Sequence, residues 1–241
     1  ATSIGRSIAS NGKPLYDYFD GYNGDQMAEE LNVQSKQSVE KNTALNVDCF
    51  TTVSEITARE CKQLVGRECD VILENGFEKD FVPVGKDFTA KRKAARKRIF
   101  EVANALTGHK FADDTLIVAT SGRYEFKNKG IDVFIHAMRR CLDQSADLKN
   151  EVLALIQVPG WVAGPRADLQ ARLDFPQVYD TALDNPVITH DLHEMQHDQV
   201  LNLFRALNIS NSEESKVKVI FVPCYLDGAD GIFQMPYYDL L

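Results

Sequence analysis

The pattern of apolar and polar positions is clearest between Thr115 and Cys141, where it changes from strand-like to helix-like. Leu116–Thr120 is a short apolar run with Ile and Val, which is typical of a buried strand. A polar stretch bounded by Gly122 and Gly130 comes next. Apolar residues then recur with the spacing of one helical face, at Ile131, Phe134, Ile135 and Met138. The pattern therefore predicts a strand, a loop and a helix, the opening half of a βαβ unit.

The first half of the chain contains a second unit of this kind. β-rich runs at residues 48–54 and 70–73 flank a helical pattern that ends at Gly66, a residue type that often ends helices. A strand, a helix and a strand within about thirty residues predict a parallel pair of strands. Residues 1–45 have a mostly helical pattern. The predicted fold class is α/β with parallel sheets.

The rest of the chain adds strands to the second predicted sheet. Residues 152–159 and 218–223 are predicted strands, and residues 160–164 form a predicted loop with the single tryptophan. Residues 165–215 are interpreted as an insertion, in which a longer helix is expected from about 191 to 207.

The glycine-bounded loop carries two cations at the carboxyl end of a predicted strand, where open α/β sheets bind ligands. Arg123 and Lys129 lie in this loop, between Gly122 and Gly130. Glycine lets backbone N–H groups approach a ligand, arginine binds oxygens in a bidentate fork, and lysine adds a point charge. These residues indicate an anion site suited to a phosphate. The alternative is an ordinary solvated loop in which Arg123 pairs with Glu125.

The composition narrows the function mainly by exclusion. The 241 residues suffice for one large or two small domains, with 44% hydrophobic and 26% charged residues. A net charge of −8 argues against nucleic-acid binding by the whole chain. No apolar run approaches the ~20 residues of a membrane span. The five cysteines are widely spaced with no CxxC pair, which indicates the reduced thiols of a cytoplasmic protein.

His193 and His197 belong to an HExxH pattern, HEMQH. In zinc enzymes two such histidines lie one helical turn apart and bind the metal, with the Glu as general base. His190 precedes them, and the segment has a helical pattern, so the spacing is compatible with a metal. A third protein ligand and an open cleft are not identified by the sequence. We therefore expect these histidines to be structural or solvated and expect no metal site.

A basic run, KRKAARKR at residues 91–98, lies within a helix predicted for residues 87–106. One interpretation is a patch for nucleic acid or an acidic partner. The other is the solvated face of an amphipathic helix, whose apolar side carries Ile99, Val102, Ala103 and Leu106. We favour the solvated face, because basic blocks on helices are commonly exposed.

Several segments resemble one known family. Gly122–Met138, GRYEFKNKGIDVFIHAM, resembles the GRYE-(F/Y)-x-NKG-(A/I)-D segment of the glycogen synthases of the animal and fungal type, glycosyltransferase family 3. Further segments are similar to the family in the same order along the chain: Ala1–Arg6, Phe50–Ala58, Val71–Gly76, Lys216–Pro223 and the segment around Asp239. The chain departs from the family at Glu74, where Pro is usual, and at Cys224, where Glu is usual.

The resemblance implies a partial GT-B architecture, in which two Rossmann-like domains face each other. Residues 1–110 would form the C-terminal part of the first domain, and residues 111–241 the N-terminal part of the second, with the insertion at about 165–215. The ends of the sequence and the family's missing glycine-rich loop and glutamate motif indicate an internal fragment. We expect this fragment alone to be inactive.

The resemblance also implies an activity and its site residues. The full enzyme would be a retaining transferase that moves glucose from UDP-glucose to the 4-hydroxyl of a growing α-1,4-glucan, glycogen. Arg123 and Lys129 would be catalytic and donor-binding, through the donor diphosphate. Arg6 would line the same cleft, and Asn75 would bind donor or serve only its turn. No cofactor and no cation are implied, because such folds use Arg and Lys in place of a metal.

Two other interpretations stay open at this point. One is a related GT-B transferase that uses ADP-glucose or another sugar nucleotide. The other is a non-catalytic glucan-binding module. In either case the expected location is the cytoplasm, and the expected partners are a sugar nucleotide and a glucan. Neither nucleic acid nor a membrane is an expected partner, and a homo-oligomer is compatible with the resemblance.

Overall fold

The computed structural model describes residues 1–175 and 177–240, without the side chain of Phe81. The chain forms two compact units, Ala1–Phe81 and Val82–Leu241. No helix in the described ranges is both long and apolar enough to cross a membrane.

The first unit is mainly helical, as its sequence pattern predicts. Its elements are α1 (Ser3–Ser10), α2 (Gly24–Glu30), α3 (Gln34–Asn46), β1 (Thr51–Thr52), α4 (Glu55–Glu60) and β2 (Val71–Ile72). A π-helical turn, Cys61–Val65, continues α4, and short 3₁₀ turns cover Phe19–Gly21 and Lys79–Phe81. β1 and β2 pair in parallel, which confirms the predicted βαβ unit.

Local signals explain where these helices begin and end. Thr2 caps α1 by accepting the N–H of Gly5, and Ser54 caps α4 by accepting the N–H of Thr57. The helical segment that starts with α4 ends at Gly66, as predicted. Apolar side chains of the first helices and the turns between them form one buried cluster, which includes Ile4, Ile8, Leu15, Phe19, Met27 and Leu64.

The second unit contains a parallel sheet with helices on both faces. Its elements are α5 (Gly85–Thr107), β3 (Leu116–Ser121), α6 (Ile131–Asp143), β4 (Val152–Gln157), β5 (Val162–Pro165), α7 (Ala167–Asp174), β6 (His190–Leu192), α8 (Gln199–Ala206), β7 (Val217–Val222) and α9 (Tyr237–Leu240). A 3₁₀ turn covers Ser145–Asp147. The strand order is β3-β4-β7, and both pairs are parallel. The mixed α/β class with parallel sheets is therefore confirmed.

Alternate residues of the central strand enter two different cores. Ala154 and Ile156 of β4 face the core formed with α6 and α8, whereas Leu153 and Leu155 face the core formed with α5. A strand buried on both faces reads as a continuous apolar run, which is why β4 and β7 were recognisable from sequence. β3 is less buried, with Leu116 54% exposed.

Helix α5 belongs to the second unit, so the boundary between the two units along the chain precedes it, between residues 81 and 82. The sequence places a domain boundary near residue 110. α5 packs in the second unit because its apolar residues, Ile99, Val102 and Leu106 among them, bury against the sheet. How the units correspond to the domains of a longer protein stays a prediction.

The prediction of a helix from about 191 to 207 is wrong for the first half of that range. Residues 190–192 form β6, which pairs antiparallel with β5, and turns cover residues 193–197. The helix α8 begins only after Asp198, whose carboxylate accepts the N–H of Leu201. The predicted loop at 160–164 is likewise wrong in part, because β5 starts at Val162.

Candidate functional site

The loops after β3, β4 and β7 leave the sheet from the same edge. Ser121, Gln157 and Val222 end these strands and lie side by side in register. The carboxyl edge of a parallel sheet is the usual place for a ligand in open α/β folds. The predicted anion loop, residues 122–130, is the first of these three loops.

Glycine allows this loop to turn sharply at both ends. Gly122 has φ +143° and Gly130 has φ +64°, both in the left-handed region that L side chains rarely adopt. Neither position is crowded enough to exclude a larger side chain by contact. The backbone conformation, rather than a close neighbour, therefore accounts for both glycines.

Tyr124 anchors the loop to the helix α8. Its hydroxyl donates to Asp198 Oδ2 at 2.7 Å and accepts the N–H of Val200 at 3.1 Å. Its ring packs edge-on against Phe221 of β7. Burial, together with the hydrogen bond to the Asp198 carboxylate, raises the pKa of the Tyr124 phenol, so the phenol stays protonated. No local sequence pattern predicts this contact, because 74 residues separate the partners.

Arg123 and Lys129 share one neighbour in the loop. The Arg123 guanidinium is 66% exposed, and its Nε lies 3.1 Å from Glu125 Oε1. The backbone N–H of Lys129 donates to the carbonyl of Glu125 at 2.9 Å. The Lys129 ammonium is exposed and has no partner among the described side chains. The ion pair left open as an alternative is therefore present, next to a cation without a partner in the part of the chain that the structure describes.

Arg6 and Asn75 lie in the first unit. Arg6 is exposed on α1, and Asn75 is exposed in the segment that follows β2. Their parts in binding a donor stay predictions. The helix that carries Arg6 is held by a buried carboxylate that sequence reasoning missed.

That carboxylate is Glu60, which has no exposed surface. It accepts the Thr2 N–H at 2.7 Å, the Thr2 hydroxyl at 3.1 Å and the Tyr16 hydroxyl at 2.6 Å. Burial and this bond to Glu60 raise the pKa of Tyr16 to about 12. Three hydrogen bonds compensate the cost of burying a charge and fix the start of α1.

The HExxH pattern does not form a helix. His193 lies in a turn, where its ring packs on Trp161 with centroids 4.9 Å apart and its N–H donates to the Trp161 carbonyl. His197 is exposed, with its Nδ1 3.7 Å from a carboxylate oxygen of Glu194. Zinc ligation by HExxH requires both imidazoles on one helical face, and the described backbone lacks that face.

A different group, His190, Cys224 and Asp230, has ligand atoms within 4.8 Å of one another. Both ring nitrogens of His190 already have hydrogen-bond partners, the Thr189 hydroxyl at 2.8 Å and the Asp230 carbonyl at 2.9 Å. The Asp230 carboxylate accepts three backbone N–H groups of the loop that follows. The ligand atoms of His190 and Asp230 are already engaged within the protein, so this group fits a structural role better than a metal site.

Comparisons with known proteins cover both units and the loop 122–130. A sequence model of the glycogen synthase family matches residues 1–163, which include both units and the anion loop. The chain belongs to the glycogen synthase family. Family members are glycosyltransferases, so the resemblance noted in the sequence is confirmed.

Curated relatives match over the whole chain. They include glycogen [starch] synthases of Neurospora crassa (23% identical), Dictyostelium discoideum (27%) and rat liver (24%). The chain covers 42%, 33% and 42% of these relatives, respectively. It therefore spans well under half of their length.

Proposed function

We propose that this chain is part of a retaining glycosyltransferase that transfers glucose from UDP-glucose to the 4-hydroxyl of a growing α-1,4-glucan. The observation that supports this proposal most directly is the structure of the loop 122–130. It presents Arg123 and Lys129 at the carboxyl edge of a parallel sheet, in a member of the glycogen synthase family. The names of the relatives support a glucan product.

In this proposal the loop recognises the donor diphosphate. The leaving diphosphate gains negative charge as the glycosidic C1–O bond breaks. Cations that are already in place stabilise this charge more strongly than they stabilise the ground state, and this difference accelerates the reaction. Arg123 supplies bidentate hydrogen bonds and Lys129 a point charge. Arg6 and Asn75 would add contacts from the first of two facing Rossmann-like domains.

Glu125 has a part in the same step. Its carboxylate pairs with Arg123 and limits the positions of the exposed guanidinium. A diphosphate carries more charge than one carboxylate and would compete for the same donors. Glu125 would then hold Arg123 near the loop until the donor arrives. Tyr124 keeps the loop in place while this exchange occurs.

The same proposal covers architecture and location. Residues 1–110 and 111–241 would contribute to the two domains of a GT-B enzyme, with residues 165–215 as an insertion. All five cysteines are free, which supports a reducing compartment such as the cytoplasm.

A transfer assay on the full-length protein that contains this chain tests the proposal. Glycogen is the acceptor, and UDP-glucose or ADP-glucose is the donor. We expect release of UDP with incorporation of glucose, and much slower release of ADP. Faster release of ADP would reassign the donor. Glycogen binding without transfer from either donor would indicate a non-catalytic glucan-binding module instead of an enzyme.

A further inference from the structure

A cavity of about 880 Å³ lies along the basic face of α5. Its other walls come from residues 110–113 and from the segment after α7, which includes Tyr179. Arg96 lines it and donates to the carbonyl of Thr115, immediately before β3 begins. The cavity extends along α5 from Phe88 to Ala105, and Arg96 connects its wall to the amino end of β3. Its volume suits a ligand of cofactor size.

Cations dominate the lining of this cavity. Seven lining side chains are Arg or Lys, and two are Asp or Glu, although the whole chain has a net charge of −8. Three of the arginines donate to backbone carbonyls and have structural roles: Arg96, Arg98 and Arg172. Arg92, Lys93 and Lys110 make no hydrogen bond or ion pair with the described residues. Positive charge without local compensation favours an anionic ligand.

Aromatic rings form the apolar part of the cavity. Phe100 and Phe111 stack with their centroids 5.4 Å apart and their planes 8° apart. Phe88 is 47% exposed near the N-terminal end of the same helix face, and Tyr179 closes the opposite side. Ring faces and edges of this kind pack well against another flat ring.

A second, smaller cavity of about 230 Å³ shares Arg92 and Arg96 with the first. Gln157 lines it and is only 5% exposed. Its Oε1 is buried and has no hydrogen-bond partner among the described residues. A buried acceptor without a partner is costly, and a ligand N–H group would satisfy it.

We propose that these adjoining cavities, whose lining does not include residues 122–130, bind a nucleoside phosphate on the α5 face of the sheet. The phosphates would contact Arg92, Lys93 and Lys110. The base would pack against the aromatic rings, and an exocyclic amino group would donate to Gln157. The net charge of −8 disfavours binding of a nucleic acid, so a small anionic ligand fits these cavities better.

Titration calorimetry on the 241-residue chain tests the proposal, with ADP as the probe and with adenosine and pyrophosphate representing its nucleoside and its diphosphate. We expect ADP to bind more tightly than either half. Arg92→Glu with Lys93→Glu should weaken ADP and pyrophosphate at least tenfold, because both side chains are exposed cations of the cavity. Phe88→Ala should weaken ADP and leave pyrophosphate unchanged.

The matched control is Lys86→Glu with Lys149→Glu. Both lysines are exposed, do not line the cavity and have no partner among the described residues, and the change in net charge is the same. ADP affinity should stay within twofold. An equal loss in the control would mean that ADP responds only to overall charge and would overturn the proposal.

A second control separates the cavity from the donor loop. Arg123→Ala with Lys129→Ala should leave ADP binding intact. Loss of ADP binding in this variant would place the ligand on the loop instead. Failure of the unaltered chain to bind ADP at millimolar concentration would also overturn the proposal, and neither result would decide the proposed transferase activity.

Discussion

The molecule has two groups of basic residues, and they differ in what their side chains contact. The loop 122–130 presents Arg123, which contacts a single neighbouring carboxylate, and Lys129, which contacts none among the described residues. On α5, Arg96 and Arg98 donate to carbonyls of other elements and thereby join this helix to the rest of the unit. Arg96 and Arg98 therefore serve folding, whereas the two loop cations are available to a ligand.

Positive charge alone therefore does not identify a ligand site in this protein. A cation is available to a ligand when the backbone holds it at an edge with few acceptors nearby, as glycine turns do for Arg123. Arg96 and Arg98 on α5 instead donate to carbonyls of packed loops. Substitution of the loop cations should accordingly lower activity, whereas substitution of these two arginines should lower stability.

The largest expected effect is on turnover, from Arg123→Ala in the full-length protein. Losing a donor to the developing charge should lower kcat and kcat/KM together by roughly 10²–10³. The melting temperature should hardly change, because the Arg123–Glu125 pair is largely exposed. Steady-state kinetics and thermal denaturation measure the two quantities on the same sample. Lys129→Ala should act in the same direction with a smaller loss.

If Arg123→Ala instead keeps more than half of its kcat/KM, the loop is not the donor site. A lower melting temperature with normal turnover per folded molecule would make Arg123 a structural residue, and the contrast with α5 would disappear.

The opposite pattern is expected for Arg98→Ala. Its guanidinium donates to the carbonyls of Ile232 and Phe233, and the variant leaves both without this partner. Each buried polar group left unpaired costs about 1–3 kcal/mol, so the free energy of unfolding should fall by at least that amount. Urea denaturation measures it. An unchanged unfolding midpoint would show that α5 does not depend on this contact.

Tyr124→Phe tests how firmly the loop is held. The variant removes the hydrogen bonds to Asp198 and Val200 and keeps the ring packed against Phe221. A typical side-chain hydrogen bond contributes about 1 kcal/mol, so a loss of this order is expected in urea denaturation. The KM for the sugar nucleotide should rise as the loop gains freedom. A normal KM with reduced stability would limit Tyr124 to a folding role.

The smallest effect is expected for Lys97→Ala. Its ammonium lies 3.7 Å from Glu101 on the exposed side of α5. Surface substitutions of this kind change the free energy of unfolding by no more than about 0.5 kcal/mol. A change as large as that of Arg98→Ala would mean that the exposed cations also stabilise the helix.

The sequence by itself determined the elements that local pattern specifies. The strand, glycine loop and helix around Arg123 follow from apolar periodicity, and the parallel pair of the first unit follows from its strand–helix–strand spacing. The two loop cations were found in the same way, because the residues that shape the loop are close to them in sequence. Local propensity specifies these elements even where burial is incomplete, as in β3, where Leu116 is 54% exposed.

Only the tertiary structure decided the features that depend on distant partners. The residues after His190 have a helical pattern but form β6, because their backbone groups make hydrogen bonds to β5. No local pattern reveals this pairing, since β5 lies elsewhere in the sequence. Tyr124 meets Asp198, and Glu60 meets Thr2, for the same reason. The basic run was visible in sequence, but its cavity was not. A cavity requires a second wall that faces α5. This wall is the segment near Tyr179, about seventy residues away in the sequence, and packing of the apolar core brings it to α5.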